Sequence, residues 1–301
     1  MQQSGAECEF SNSDSWVILS PIEQSIKRKI EAVGTPLKDW DIQINYGIKT
    51  GYNDAFIIDT AKRDEILANC QSEDEHKRTA ELIRPILRGR DIKRYGYNWA
   101  GLYLIATFPS RHYDIEQYPA VKEYLLSFGI ERLEQTGKEH NVNGEKIKAR
   151  KKTSNEWFET QDRISYWEDF SKPKVMYPNM TKFMPFYYDE RGFYQNDKSF
   201  MITGTHVPYL AAFLNSSLFK FCFRDNFPEL LDGTRELRKI FFDKIPVKKI
   251  SDSVNDTFRC KVNKIQSNYT KEQTLEIEML LFDLYNLTDK ERKVIGFIAI
   301  T

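Results

Sequence analysis

The sequence predicts an α+β fold: a mixed or antiparallel sheet followed by a helical C-terminal tail. Three observations lead there. Strand-like and helix-like segments follow one another irregularly, where a doubly wound sheet would alternate them strictly. The strand-like runs all lie before residue 250, and residues 251–301 read as helix with short breaks. No segment repeats itself, so a solenoid is excluded.

Residues 1–15 are polar and patternless, and read as a disordered leader. A domain over 16–250 and a helical segment over 251–301 packing on it complete the division. Ser20-Pro21-Ile22-Glu23 is a helix start, with Ser20 as N-cap, Pro21 in the first position and Glu23 closing a capping box. Ile22, Ile26 and Ile30 share one face, and Gly34 is a natural stop. Strands are expected at about 42–48 and 54–59, and helices at about 61–69 and 73–86, the second capped by Ser72. Gly101 to Phe108 is an apolar strand, and Pro119 opens a helix to about Phe128. The polar stretch 129–160 reads as a long loop. Phe183 to Tyr188, a D-E-R-G turn, Phe193-Tyr194 and Phe200 to Thr203 read as a twisted antiparallel hairpin. A helix from His206 to Phe223 carries Tyr209, Leu210, Phe213, Leu214, Leu218 and Phe221 at core spacing. A strand near 245–250 precedes tail helices at about 252–266, 270–286 and 288–299.

Composition excludes several classes. The 44 lysines and arginines balance the 44 aspartates and glutamates, so bulk charge announces no nucleic-acid partner and any such role needs local segregation. Cys8, Cys70, Cys222 and Cys260 form no C-x-x-C pair, and the histidines are scattered, so no zinc site or disulfide framework is readable. No apolar stretch is long enough to span a membrane. The expectation is a soluble, cytoplasmic protein with no membrane partner.

The segment Gly47-Ile-Lys-Thr-Gly51-Tyr-Asn-Asp-Ala-Phe-Ile-Ile-Asp59 places Lys49 and Thr50 between two glycines, ahead of an apolar strand-like run. By itself this reads equally as a hairpin turn that carries a lysine. Other blocks follow in order: Ile83 to Tyr95 (I-R-P-I-L-R-G-R-D-I-K-R-Y), Arg150 to Glu159, Lys174 to Thr181, Tyr209 to Leu218 and Leu281 to Thr288, with Trp16 to Ile30 and Pro36 to Gly47 as lead-in. Together they resemble the TaqI-like C-terminal specificity domain, the target-recognition part of adenine-specific DNA methyltransferases and fused restriction-modification enzymes. The resemblance implies sequence-specific binding of double-stranded DNA. It further implies a methyltransferase catalytic domain as partner, in cis or as a separate subunit, with or without an endonuclease.

The chemistry of methyl transfer is not visible in this chain. It has no Pro-Pro dipeptide, hence no Asn/Asp-Pro-Pro-Tyr/Phe grip on a flipped base, and no G-x-G turn after a strand to hold a cofactor. Catalytic, metal and cofactor sites are therefore expected to be none here, and S-adenosylmethionine belongs to the implied catalytic domain. Asp91-Ile92-Lys93 lacks the further carboxylates a nuclease would need.

Four segments are candidates for DNA contact. The first is Lys49 and Thr50, with Tyr52 beside them. The second is Arg88 and Arg90, with Lys93 and Arg94; an internal ion pair to Asp91 or a solvated turn explains it as well. The third is Lys148, Arg150, Lys151 and Lys152, with Lys146 upstream and Trp157 downstream; its plain alternative is a solvated loop. The fourth is Asn179, Thr181 and Lys182 at a strand end, side-chain types that read base edges but also make simple turns. A reading of another class remains: a protein-interaction or specificity subunit that docks a separate methyltransferase through the Ile22–Ile30 helix and the C-terminal helices.

Overall fold

Ser20 caps the first helix as its neighbours predict: its hydroxyl accepts from Glu23 N, and the Glu23 carboxylate accepts from Ser20 N at 2.6 Å. This computed structural model describes residues 20–297. The expected leader 1–15 and residues 298–299 of the expected last helix lie outside them.

The helices of about two turns or more are α1 (Pro21–Val33), α2 (Thr60–Ala68), α3 (Glu73–Leu82), α4 (Pro119–Leu126), α5 (Val207–Leu214), α6 (Ser217–Phe223), α7 (Asp252–Ser267), α8 (Lys271–Leu284) and α9 (Asp289–Ile295). The strands of the two main sheets are β1 (Ile42–Tyr46), β2 (Ile57–Asp59), β3 (Ile83–Leu87), β4 (Leu102–Ile105), β5 (Lys174–Pro178), β6 (Tyr187–Asp189), β7 (Tyr194–Gln195) and β8 (Ser199–Gly204). One sheet is antiparallel throughout, in the order β6-β5-β8-β1. The other runs β7-β3-β4-β2, with β7 parallel to β3 and the remaining pairs antiparallel. The fold is α+β, with a helical C-terminal region. No helix among the described residues is long and apolar enough to cross a membrane.

Each sheet has its own core. Val175, Tyr177 and Ile202 of the antiparallel sheet pack with Ile26 and Ile30 of α1, the apolar residues of α5 and α6, and the tail helices. Ile83, Ile86 and Leu104 of the second sheet pack with Ile66 of α2, Val121 and Leu125 of α4, and Phe158. Fully burying Ile26 and Ile30 stabilises the fold by roughly 1.5–3 kcal/mol each. Phe258, Val262, Leu281 and Phe282 of α7 and α8 belong to the same apolar cluster as β5 and α5, so the tail is continuous with the first core. A buried bond between the Tyr209 and Tyr285 hydroxyls (3.1 Å) ties α5 to the end of α8.

Several local expectations are corrected. The helix expected over 73–86 ends at Leu82, because Pro85 has no N–H for a helix interior, and Ile83 gains more by pairing with β4 and Ile86 with β7. Asn53–Phe56 is a helical turn, and strand begins only at Ile57. The supposed hairpin of 183–203 does not form: β6 joins the antiparallel sheet, while β7 leaves it to pair in parallel with β3. The polar stretch 129–160 contains an antiparallel ribbon, Glu139–Val142 with Glu145–Lys148. Its turn is Asn143-Gly144, both at positive φ (53° and 87°), the dipeptide that suits a tight primed turn. The expected helix 206–223 breaks at Asn215-Ser216. Asn215 turns inward to bond Phe186 N and O, and Ser216 becomes the N-cap of α6.

Candidate nucleic-acid interface

The crossing from β7 to β8 carries the chain from one sheet to the other through Asn196-Asp197-Lys198. Two glycines of the candidate segments lie directly on it. Gly47 approaches Asn196 so closely that a Cβ there would stand 2.0 Å from the Asn196 carbonyl oxygen; at Gly89 a Cβ would stand 2.5 Å from that of Lys198. Ile48 N donates to Gln195 O (2.7 Å), Asp197 N to Ile48 O (3.0 Å) and Asn179 N to Lys198 O (2.9 Å). Three of the four candidate segments are thereby fixed to one crossover.

The remaining segment, the third, joins through Arg150. Its guanidinium donates from Nη1 to the carbonyls of Thr50 (2.9 Å) and Glu159 (2.7 Å), from Nε to Leu133 O (2.7 Å) and from Nη2 to Trp157 O (2.6 Å). It lies over the Phe56 ring, and burial pushes its pKa down to about 10, leaving it charged at neutral pH. Arg150 is thus corrected from a DNA-contact candidate to an internal tie, since it is buried and four of its N–H donors are spent on carbonyl oxygens.

Other expected contacts also have partners within the chain. Thr50 is buried; its hydroxyl donates to Asn53 Oδ1 (2.7 Å) and accepts from Tyr52 N (3.2 Å). Tyr52 turns its ring onto Phe128 and beneath the Arg132 guanidinium. Arg88 makes a two-pronged pair with Asp91, Nε to Oδ2 at 2.9 Å and Nη2 to Oδ1 at 2.8 Å. Trp157 is half-buried, edge-on to Phe158. Lys182 is exposed and ion-paired with Asp232.

The remaining candidates face solvent. Lys49, Arg90, Lys148, Lys151 and Lys152 are exposed and make no ion pair among the described residues. Lys49 and Lys151 flank Asp162: burial raises the pKa of that carboxyl, and the two lysines oppose the rise. Arg90, Asn179 and Thr181 meet in a cleft of about 760 Å³ with Lys93 and Arg94 of the second segment, and with Lys198 and Lys220, which sequence reasoning left out of the site. Lys220 donates to Phe183 O (2.8 Å), and burial, then Arg94 and Arg224, push its pKa down to about 8. Arg94 is spent on Asn215 O (2.9 Å) and Tyr269 OH (3.1 Å).

Polar capacity in the cleft is partly unused. Asn179 Oδ1 is buried without a partner. The Thr181 hydroxyl accepts from Phe183 N (3.1 Å) and Met184 N (3.3 Å), which leaves its own proton to donate. That turn holds Phe183 out, 72% exposed, next to an exposed Met180. A signal for Lys198 was available in the Asn-Asp-Lys turn between two apolar strands. Lys220 carried none, because it sits within the apolar stripe of α6.

A family model for the TaqI-like C-terminal specificity domain matches residues 84–247, just over half of the chain. The chain belongs to this family. All of the cleft's basic residues and its Asn179-Met180-Thr181 edge fall within the matched part of the specificity domain. Solved structures that share its fold include two restriction enzymes. One is the type IIG restriction endonuclease BpuSI, with a TM-score of 0.51 and 13% identity over 88% of this chain and 33% of that one. The other is the type IIL restriction-modification enzyme MmeI in complex with DNA, with a TM-score of 0.53 and 14% identity over 89% of this chain and 34% of that one. The specificity domain thus spans about a third of the length of each. No curated protein sequence matches the chain.

Proposed function

We propose that this specificity domain binds double-stranded DNA sequence-specifically as the target-recognition part of an adenine-N6 methyltransferase of a restriction-modification system. The observation that carries the reading is the convergence on one sheet-to-sheet crossover: unpaired Lys49 and Lys151 on one side, and Arg90, Lys198, Asn179 and Thr181 on the other. Exposed cations neutralise phosphates and set non-specific affinity. Asn179, Thr181 and Arg90, held on strand ends and a tight turn, present donors and acceptors to base edges. S-adenosylmethionine and the base-flipping pocket belong to the catalytic part, joined in cis or as a separate subunit.

The reading in which the chain only docks a separate subunit has less support. Ile26 and Ile30 of α1 are already buried in the first core, as are the apolar faces of α7 and α8.

Salt-dependent binding of randomised duplex, by the full-length enzyme or by this chain joined to its catalytic part, tests the proposal. With about six phosphate contacts, log affinity falls against log salt with a slope near about −5, and selection enriches one motif. Binding without a salt slope, or enrichment of no motif, would refute it.

A further inference from the structure

Away from the crossover, Arg78 of α3, Arg84 of β3 and Arg111 line a second pocket of about 290 Å³. None of the three makes an ion pair among the described residues. Glu81, the one carboxylate in the lining, reaches none of them within ion-pair distance. Arg78 spends one donor on Gln117 O (3.2 Å), and the Nε atoms of Arg78 and Arg84 are buried with no partner at all. Arg111 stacks on Trp167, its guanidinium carbon 3.8 Å from the ring centroid, and Arg84 lies over Tyr194 at 5.5 Å. Stacking fixes the guanidinium planes and leaves their N–H edges free to donate.

Like charges held together with unmatched buried donors are unfavourable unless an anion sits among them. Carboxylates have room for one or two such forks, whereas a tetrahedral oxyanion with three or four oxygens accepts from all three. We propose that the Arg78–Arg84–Arg111 pocket binds a phosphate group. That group comes either from the DNA backbone or from a free phosphate.

Inorganic phosphate is titrated into the full chain by calorimetry, with ionic strength held constant by chloride. Saturable binding is expected, weakened about tenfold or more in Arg84→Gln and Arg111→Gln, since one charge-assisted hydrogen bond is worth at least that factor. Lys290→Ala, an exposed lysine of α9, serves as control and binds as the native chain does. Arg111 is exposed at the end of the short 3-10 turn Pro109–Arg111, so its variant stays folded and keeps the test decisive if Arg84→Gln does not. The same variants are then assayed with labelled duplex. Weaker duplex binding with a shallower salt slope identifies the backbone as the source. Lost phosphate binding with unchanged duplex affinity identifies a free phosphate. Variants equal to the native chain in both assays would overturn the proposal, as would a native chain that takes up phosphate without saturation while duplex binding is unchanged.

Discussion

Arg150 Nη1 donates to the Thr50 carbonyl at 2.9 Å, across one hundred residues of sequence. That bond, with three more from the same guanidinium, holds the opening loop against the segment bearing Lys151 and Lys152. Basic residues next to one another in sequence therefore have opposite roles: Arg150 points in and binds backbone, and its neighbours point out.

Arg150→Ala leaves four carbonyl oxygens and a buried site without their donor. It should destabilise the fold by about 3 kcal/mol or more, read as a lower midpoint in urea unfolding. Arg150→Lys should recover only part of this, since one ammonium cannot span the fork. An Arg150→Ala chain as stable as the native one would show that the carbonyls find other partners.

Lys151→Ala and Lys152→Ala should leave the unfolding midpoint unchanged. Each should reduce the steepness of the salt dependence of duplex binding by about 1, evenly across sequences, as expected for loss of one phosphate contact. Titrations at several salt concentrations measure this. A change in sequence preference would instead make them base readers.

Gly47→Ala forces a methyl group to within 2.0 Å of the Asn196 oxygen, and backbone must move to accept it. The variant should lose more than about 1 kcal/mol of stability and, where still folded, bind duplex less well, because the crossover carries Asn179 and Lys198 with it. Unfolding and binding are measured on the same preparation. Unimpaired binding would mean that the opening loop and the cleft act separately.

Lys220 gives the cleft a pH dependence. Its folded pKa, about 8, lies below its ordinary 10.5, so between these values the unfolded chain binds more protons. Stability from this group therefore rises as pH goes from about 8 to 10.5, while the cleft loses positive charge above pH 8. Duplex affinity should fall between pH 7 and 9, and Lys220→Met should flatten that fall. A native profile that is level across the range would exclude Lys220 from the binding field.

Part of the candidate site was legible from side-chain type alone. Lys49, Arg90, Lys151 and Lys152 are exposed, as charge and turn context suggest, and Asn179 and Thr181 stand together at a strand end. Arg88 and Arg150 carried the same sequence signal. Only their partners, Asp91 for one and four carbonyls, from Trp157 to Thr50, for the other, separate structural arginines from available ones. Arg78, Arg84 and Arg111 were invisible as a group, since they come from a helix, a strand and a short 3-10 turn.

Capping chemistry and turn dipeptides act within a few residues, so the sequence by itself determined the Ser20 start of α1, the three tail helices and the α+β class. Strand pairing and the burial of charge are decided between residues far apart. The tertiary structure alone therefore sent β7 to one sheet and β8 to the other, turned residues 83–86 from helix to strand between β4 and β7, and chose which cations remain free. Local free energies at such positions are nearly balanced, and the contacts that tip them exist only once the chain has closed on itself.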